Sequence, residues 1–509
     1  MAYKIIGNLG EPHEMNILPG WTTSKTTHDK VDLSVELVPD VELSVPFIGA
    51  AMTSVVNERL LGECARNGAM AVVPSQYPIE VAKRMVENVK KNEVRRGDLE
   101  FVEQPEWINV DGDASKVGDA IDRYNKVGHS VIPICDDERK LKGLFRYREG
   151  IPNDCLNVDL HEAIGLARSR KNEWGKIVIP FDIEKAKNGE DYVSERCQPK
   201  TIQNRMKKAR KGCMPVVDRN GVMKGLTFNY MHNGYAVGGA IHTYKWEKRA
   251  EALLEAGADI IFIDASDGAS DFQVRTLRKF KRLFPDSYIC AGNVVATTAI
   301  KKTRSGKLIE VPVYDTLVEA GADLFKVGMG SGRMCLTTDN RGVGGDILRA
   351  LYDFYKAREK LGVYRPMIAD GGIGTLDPDF DKRVLVRRNL RQDTRSINAA
   401  LAFADAAMMG TYFNMFEEAA GPVHNEGGIL YIENWGEGSY KARSFARYDV
   451  GEGVRRADIE EGGFYLIPLV GRLKPGMEKT ALGVAMTMSN VGAANLHDYR
   501  EMCVLEGLY

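Results

Sequence analysis

At 509 residues, with 44% hydrophobic and 27% charged side chains, the chain exceeds one minimal core and has an ordinary globular profile. A formal net charge of −1 gives no global field for nucleic acid or an anionic membrane, and no apolar run reaches membrane-spanning length. The leading MAYKIIGNLGEPHEM lacks a secretory apolar core, and the eight cysteines show neither CxxC nor paired spacing. Free thiols in a reducing, cytoplasmic setting are expected, without a histidine–cysteine zinc cluster.

Short apolar runs alternate with longer amphipathic segments, as in a parallel α/β fold. Strands are predicted over 45–52, 69–74, 235–241, 259–266, 287–294, 323–329, 366–373 and 406–412. Helices such as Trp246–Ala256 and Ile347–Leu361 lie between them. A doubly wound sheet shares this alternation, but eight strands predict a TIM (β/α)8 barrel. The phrases EAGADIIFID (255–264) and EAGADLFKVG (319–328) each read as helix end, glycine cap and strand start.

The stretch between residues 74 and 235 is too long for a βα loop and carries its own repeat. SVIPICDDERKLKGLFRYRE (130–149) matches CMPVVDRNGVMKGLTFNYM (213–231), with helix-like segments before them at Lys116–Lys126 and Thr201–Lys211. The tandem resembles a CBS (Bateman) pair inserted into the barrel. The expected division is barrel over 1–94, insertion over 95–231, and barrel with catalytic loop and flap over 232–509. CBS pairs often bind adenine nucleotides through an aspartate after the second strand. Here the copies end in FRYREG and FNYMHN without one, so nucleotide binding and a structural or assembly role both stay open.

Four segments carry the chemistry. VGMGSGRMCLTT (327–338) places Cys335 at the end of a glycine-alternating loop that follows a strand. FIDASDG (262–268) and IADGGI (368–373) put aspartates at strand ends, where carboxylates accept from ribose hydroxyls and glycine pairs cradle phosphate. The fourth is NWGEGSYKARSFARYDVG (434–451) with IEEGGFYLIPLVG (459–471).

Together these segments resemble the IMP dehydrogenase/GMP reductase family, on its dehydrogenase side. The resemblance runs through Leu18-Pro-Gly, VDLS (31–34), AAMTSV (50–55), AGN (291–293), the cysteine loop, ADGGI and the WGEGSYKARSFARYD run. It implies NAD-dependent oxidation of IMP to XMP through a covalent thioimidate on Cys335. Thr337 with Glu461, and the flap pair Arg447 and Tyr448, would serve hydrolysis. It further implies potassium on carbonyls of Gly330, Gly332 and Cys335, and substrate contacts at Asn293, Asp370, Gly372, Gly410, Thr411, Glu437, Gly438 and Glu461. Asp264, Ser266, Gly328 and Gly330 are the implied cofactor contacts, and the implied assembly is a homotetramer.

Several positions depart from the family pattern around the phosphate. Arg333 stands where relatives carry serine, Asn434 where they carry tyrosine, and Gly49 and Ala265 replace serines. Arg333 is expected to grip the 5′-phosphate through charge-assisted bonds. The basic segment 377–397 reads as a solvated excursion, with a reach over the phosphate as its alternative. GMP reductase, a diverged purine-nucleotide oxidoreductase and a catalytically silent regulator are the rival readings. The flap Arg447-Tyr448 favours the dehydrogenase over the first, and retention of Cys335, Thr337, Arg447, Tyr448 and Glu461 argues against the last.

Overall fold

The computed structural model describes residues 5–6, 9, 12–91, 99–103, 105–113, 115–127, 131–145, 153–168, 174–181, 192–195, 197, 201–202, 205–206, 213–229, 235–329, 342–374, 394–437, 439 and 464–507. The chain divides into two compact units, 1–93 with 235–509, and 94–234.

The first unit is a closed barrel of eight parallel strands. In chain order they are β1 (Phe47–Gly49), β2 (Met70–Val73), β3 (Val237–Ile241), β4 (Ile260–Ile263), β5 (Tyr288–Val294), β6 (Leu324–Val327), β7 (Met367–Asp370) and β8 (Ala406–Met409). Each falls inside a predicted strand. They are largely apolar because a barrel strand is covered on both faces, by the interior and by the helices; Asn293, Lys326 and Asp370 are the polar exceptions. β8 pairs with β1 to close the ring, and β2 pairs directly with β3, Ala71 opposite Val237, across the insertion point. Helix α1 (Ile347–Leu361) matches its predicted span, capped by Asp346 on the Arg349 amide at 2.7 Å and stopped by Gly362 at φ 68°. Helix α2 (Glu247–Glu255) is one residue shorter at each end than predicted.

The two EAGAD phrases have a physical basis. Gly257 and Gly321 sit at φ 98° and 104°, so each helix ends in a left-handed turn that redirects the chain into the next strand. The aspartate that follows then clamps the start of the preceding strand. Asp259 accepts from the Val237 amide at 2.7 Å, Asp323 from Ile289 at 2.8 Å, and Asp405 from Met367 at 2.8 Å. The three aspartate amides return the bond to the same residues' carbonyls at 2.7–3.0 Å. Cations neutralise each carboxylate: Lys90 at 2.9 Å from Asp259, Lys281 at 2.7 Å from Asp323, and both Arg358 and Arg500 at 3.1 Å from Asp405.

Several elements lay beyond the sequence reading. A hairpin, Thr298–Lys302 with Leu308–Pro312, follows β5 and is largely solvated. A three-stranded antiparallel sheet joins Val423–Glu426, Ile429–Trp435 and Phe464–Pro468. Helix α3 (Leu473–Val491) follows it. No helix among the described residues is long and apolar enough to cross a membrane.

The second unit is a pseudo-repeat of two four-stranded sheets. In one, Ile132–Cys135 pairs with Leu141–Phe145; in the other, Cys213–Val217 pairs with Met223–Asn229. Both hairpins turn on an aspartate. Asp136 accepts from the amides of Glu138 and Lys140 at 3.1 and 2.8 Å, and Asp218 from those of Asn220 and Val222 at 2.8 and 3.0 Å. The helix before the first hairpin spans Val117–Val127; of the segment predicted before the second, residues 201–202 and 205–206 are described and helical.

Asp405 is the clamp with no access to water, so its loss strands two buried guanidinium groups. Asp405→Ala is expected to cost about 3–5 kcal/mol in urea unfolding. Asp259→Ala, at a half-exposed clamp, should cost less. Equal costs would show that burial of the charge is not what matters.

Candidate active site

The carboxyl ends of the barrel strands present the described candidate residues on one rim, the face on which TIM barrels carry out their chemistry. Asp264 follows β4, Asn293 lies in β5, Gly328 follows β6, Asp370 ends β7, and Gly410 and Thr411 follow β8.

Three side chains and a carbonyl lock together at the centre. Lys326, in β6, reaches Asp370 Oδ2 at 2.7 Å and also donates to Asn293 Oδ1. Asn293 Nδ2 donates to the Gly328 carbonyl at 2.8 Å and to Asp370 Oδ2 at 3.1 Å. Burial alone depresses the lysine's pKa, but attraction from Asp370 and then Asp264 outweighs it, so the net shift is upward. Lys326 is therefore a fixed buried cation between two rim carboxylates. Both bonds to Asp370 engage Oδ2, which leaves Oδ1 without a hydrogen bond among the described residues. Backbone packing requires glycine here. A Cβ on Gly328, at φ 138°, would lie 1.9 Å from the Asp370 carbonyl oxygen, and one on Gly292 would lie 2.6 Å from Lys326 Cβ.

Asp264 is oriented from β2 and β3. Ser75 donates to its Oδ2 at 3.0 Å, and the His242 ring meets its carbonyl at 3.3 Å. Ser266 stands exposed beside it. A strand-end carboxylate held by a neighbouring hydroxyl is a group that suits a ribose diol.

On the opposite side the loop after β1 carries the polar contacts. Thr53 donates through its backbone amide and its hydroxyl to Glu437 Oε1, the latter at 2.9 Å, while Trp435 Nε1 donates to Thr53 Oγ1 at 3.0 Å. Asn434 is fully buried: Ser54 Oγ donates to its Oδ1 at 3.2 Å, and its Nδ2 donates to Thr411 Oγ1 at 3.2 Å. Gly371 and Gly372, at φ 108° and 69°, turn the chain away after Asp370.

Gly330, Gly332, Arg333, Cys335, Thr337, Gly438, Arg447, Tyr448, Glu461 and the segment 377–393 lie outside the described residues. Their flanks are described. Met329 and Gly345 form an antiparallel bridge, so the segment bearing Cys335 leaves and returns at one point beside β6. Trp435 faces Phe464 across two strands, so the segment bearing Arg447, Tyr448 and Glu461 likewise leaves and returns at one place. Among the described thiols, burial pushes Cys64 and Cys290 well up and Cys135 up to about 12, which makes these three poor nucleophiles.

Sequence reasoning missed Lys326, Ser75, Thr53 and Tyr465. Lys326 had a signal, a charge in the apolar run LFKV (324–327); the others had none that spacing could supply.

A family model described as "IMP dehydrogenase / GMP reductase domain" matches residues 13–507. Inosine-5'-monophosphate dehydrogenase from Tritrichomonas foetus is 27% identical, over 95% of this chain and 90% of its own. The Aquifex aeolicus protein of that name is 27% identical over 94% and 89%, and the Escherichia coli one 26% over 92% and 87%. Among solved structures, GMP reductase from Trypanosoma brucei in complex with guanosine 5'-monophosphate gives a TM-score of 0.60 at 21% identity. That match covers 98% of this chain and 95% of the other, and it speaks for the fold.

Because Lys326 has its pKa raised in the folded state, its stabilisation is present below the unfolded value of about 10.4 and fades as pH climbs through the higher folded value. Lys326→Met should cost about 3–5 kcal/mol near neutral pH by leaving Asp370 uncompensated. The gap between wild type and variant in urea unfolding should shrink above about pH 10.4. A gap that stays constant to pH 11.5 or so would remove the charge as its cause.

Proposed function

The chain belongs to the IMP dehydrogenase/GMP reductase family, and on that premise we propose that it oxidises IMP to XMP with NAD as hydride acceptor. The observation that carries the reading is the convergence of Asp264, Asn293, Lys326 and Asp370 on the rim from which the Cys335 segment departs. Two oriented carboxylates there match two riboses, one on each reactant. On this reading Asp370 accepts from the substrate ribose through Oδ1, Asn293 lies beside the purine, and the Gly372 and Gly410 amides meet the 5′-phosphate, with Arg333 reinforcing them. Asp264 and Ser266 hold the nicotinamide-side ribose, and Glu437 and Gly438 line the base.

The Cys335 thiolate adds to C2 of the purine, which turns the C2–H bond into a hydride donor. NAD, when bound, supplies the acceptor for that hydride. The C2–S bond persists as a thioimidate; water adds at C2, the C–S bond breaks, and the thiol is restored. Arg447 and Tyr448 position that water after the flap closes, separating oxidation from hydrolysis by motion. A guanidinium is a poor base, so Thr337 with Glu461 offers a second route for the proton. Potassium on the carbonyls of Gly330, Gly332 and Cys335, a cytoplasmic homotetramer, and a CBS identity for residues 95–231 belong to the same reading. The duplicated hairpins support the last.

Purified protein with IMP and NAD should produce NADH absorbance. Loss of NADPH with GMP instead would make it a GMP reductase, and silence in both assays would favour the regulator. A 2-chloro analogue of IMP should label Cys335 in peptide mass spectrometry; labelling of another cysteine, or full turnover by Cys335→Ser, would sink the mechanism. Arg447→Ala should keep a rapid NADH burst and then stall as the adduct accumulates. Equal loss of burst and steady-state rate would place Arg447 in binding or folding.

A further inference from the structure

Helix α2 carries a buried cation that neither the aspartate clamps nor the Lys326 network explains. Arg249 lies in its first turn, 6% exposed, where a positive charge opposes the helix dipole. Its guanidinium donates to three backbone carbonyls: Nε to Ala240 at 2.8 Å, Nη1 to Tyr77 at 2.6 Å, and Nη2 to Pro74 at 2.6 Å. Burial lowers its pKa to about 10 against the attraction of Asp264, so it stays a cation near neutral pH.

Those carbonyls belong to the two segments that hold Asp264. Pro74 and Tyr77 bound the turn after β2, and Ser75 between them donates to Asp264 Oδ2 at 3.0 Å. Ala240 lies in β3 next to Ile241, whose carbonyl accepts from the Asp264 amide at 2.8 Å. One guanidinium therefore fixes both the turn that grips the carboxylate and the strand that grips its backbone. Within the turn, the Gln76 amide makes no hydrogen bond among the described residues, and the Tyr77 hydroxyl is directed to the Val56 carbonyl at 3.0 Å. A planar fork with fixed donor directions sets the spacing of several carbonyls at once, which a single ammonium group does not.

We propose that Arg249 is a positioning residue for the dinucleotide cofactor: it fastens the Pro74–Tyr77 turn to β3 and so aims Asp264 at the nicotinamide-side ribose. The assignment rests on the nucleotide reading given above. Arg249 does not touch the ligand, and Ser75 is its link to the carboxylate.

The test is calorimetric titration of the full chain with NAD and, separately, with IMP. Arg249→Lys keeps the charge and loses the fork. It should weaken NAD binding about tenfold, the scale of one hydrogen bond to a charged group, and leave IMP binding unchanged. In turnover the same variant should raise KM for NAD and not KM for IMP. Ser75→Ala should shift NAD in the same direction, and the double variant should bind NAD no more weakly than Arg249→Lys alone, because both act along one path. Should Arg249→Lys fail to fold, Ser75→Ala carries the test, since the path requires its hydroxyl. Unchanged NAD affinity in either variant, equal losses for NAD and IMP, or losses that multiply in the double variant overturn the assignment. Wild-type protein that binds IMP but not NAD overturns it while leaving the substrate site. Wild-type protein that binds neither overturns the nucleotide reading, and the assignment with it.

Discussion

Closure of the barrel depends on the exchange of bonds between an aspartate and a residue at the start of the strand before it. Asp259, Asp323 and Asp405 each donate a backbone N–H to that residue's carbonyl and accept its amide on a carboxylate oxygen. In a parallel ring the strand starts have no hairpin to satisfy them, and an unpaired amide there would carry its full desolvation cost. The carboxylate fixes the stagger between neighbouring strands and brings in a cation from a packed helix. Asp405 takes this furthest, with two guanidinium groups and the Tyr364 hydroxyl around a fully buried carboxylate.

With one rim secured in this way, the other holds buried charge that is stable only when paired. Lys326 and Asp370 are costly to bury singly and tolerable only as a pair: the lysine is compensated by a carboxylate that leaves one oxygen without a hydrogen bond among the described residues. The same economy appears at Gly328, where contact between backbones forbids any side chain. Charge and close packing on this rim explain each other, since the lysine reaches Asp370 only because Gly292 and Gly328 let β5, β6 and β7 approach.

How much of this was legible in the sequence follows from where each constraint acts. The eight strands and the hairpin repeat were readable because their signals are local: apolar runs, glycine caps after EAGA, and aspartate turns. The strand-end places of Asp264 and Asp370 were readable because they lie next to a strong local signal, while Asn293, Gly410 and Thr411 were singled out only through the resemblance. The antiparallel sheet of Val423–Glu426, Ile429–Trp435 and Phe464–Pro468 was not, since a long intervening segment separates its last two strands and their alternation is weak. Ser75 was invisible for a related reason. Its importance comes from a carboxylate far along the chain, and a lone serine after a strand carries no pattern.

Asn434 and Tyr465 show what pairing adds to a motif. Read along the chain, Asn434 is a loss, a short amide where a longer hydroxyl-bearing ring is usual. Read across the sheet, it faces a tyrosine whose hydroxyl reaches the same threonine that the amide holds. Residues directly opposite on antiparallel strands share one face of the sheet, so both side chains reach the same neighbour. The amide is fully buried between Ser54, whose hydroxyl also donates to the Trp435 carbonyl at 2.9 Å, and Thr411. A motif departure in a paired strand is therefore best judged together with its cross-strand neighbour, because the two side chains share one face of the sheet.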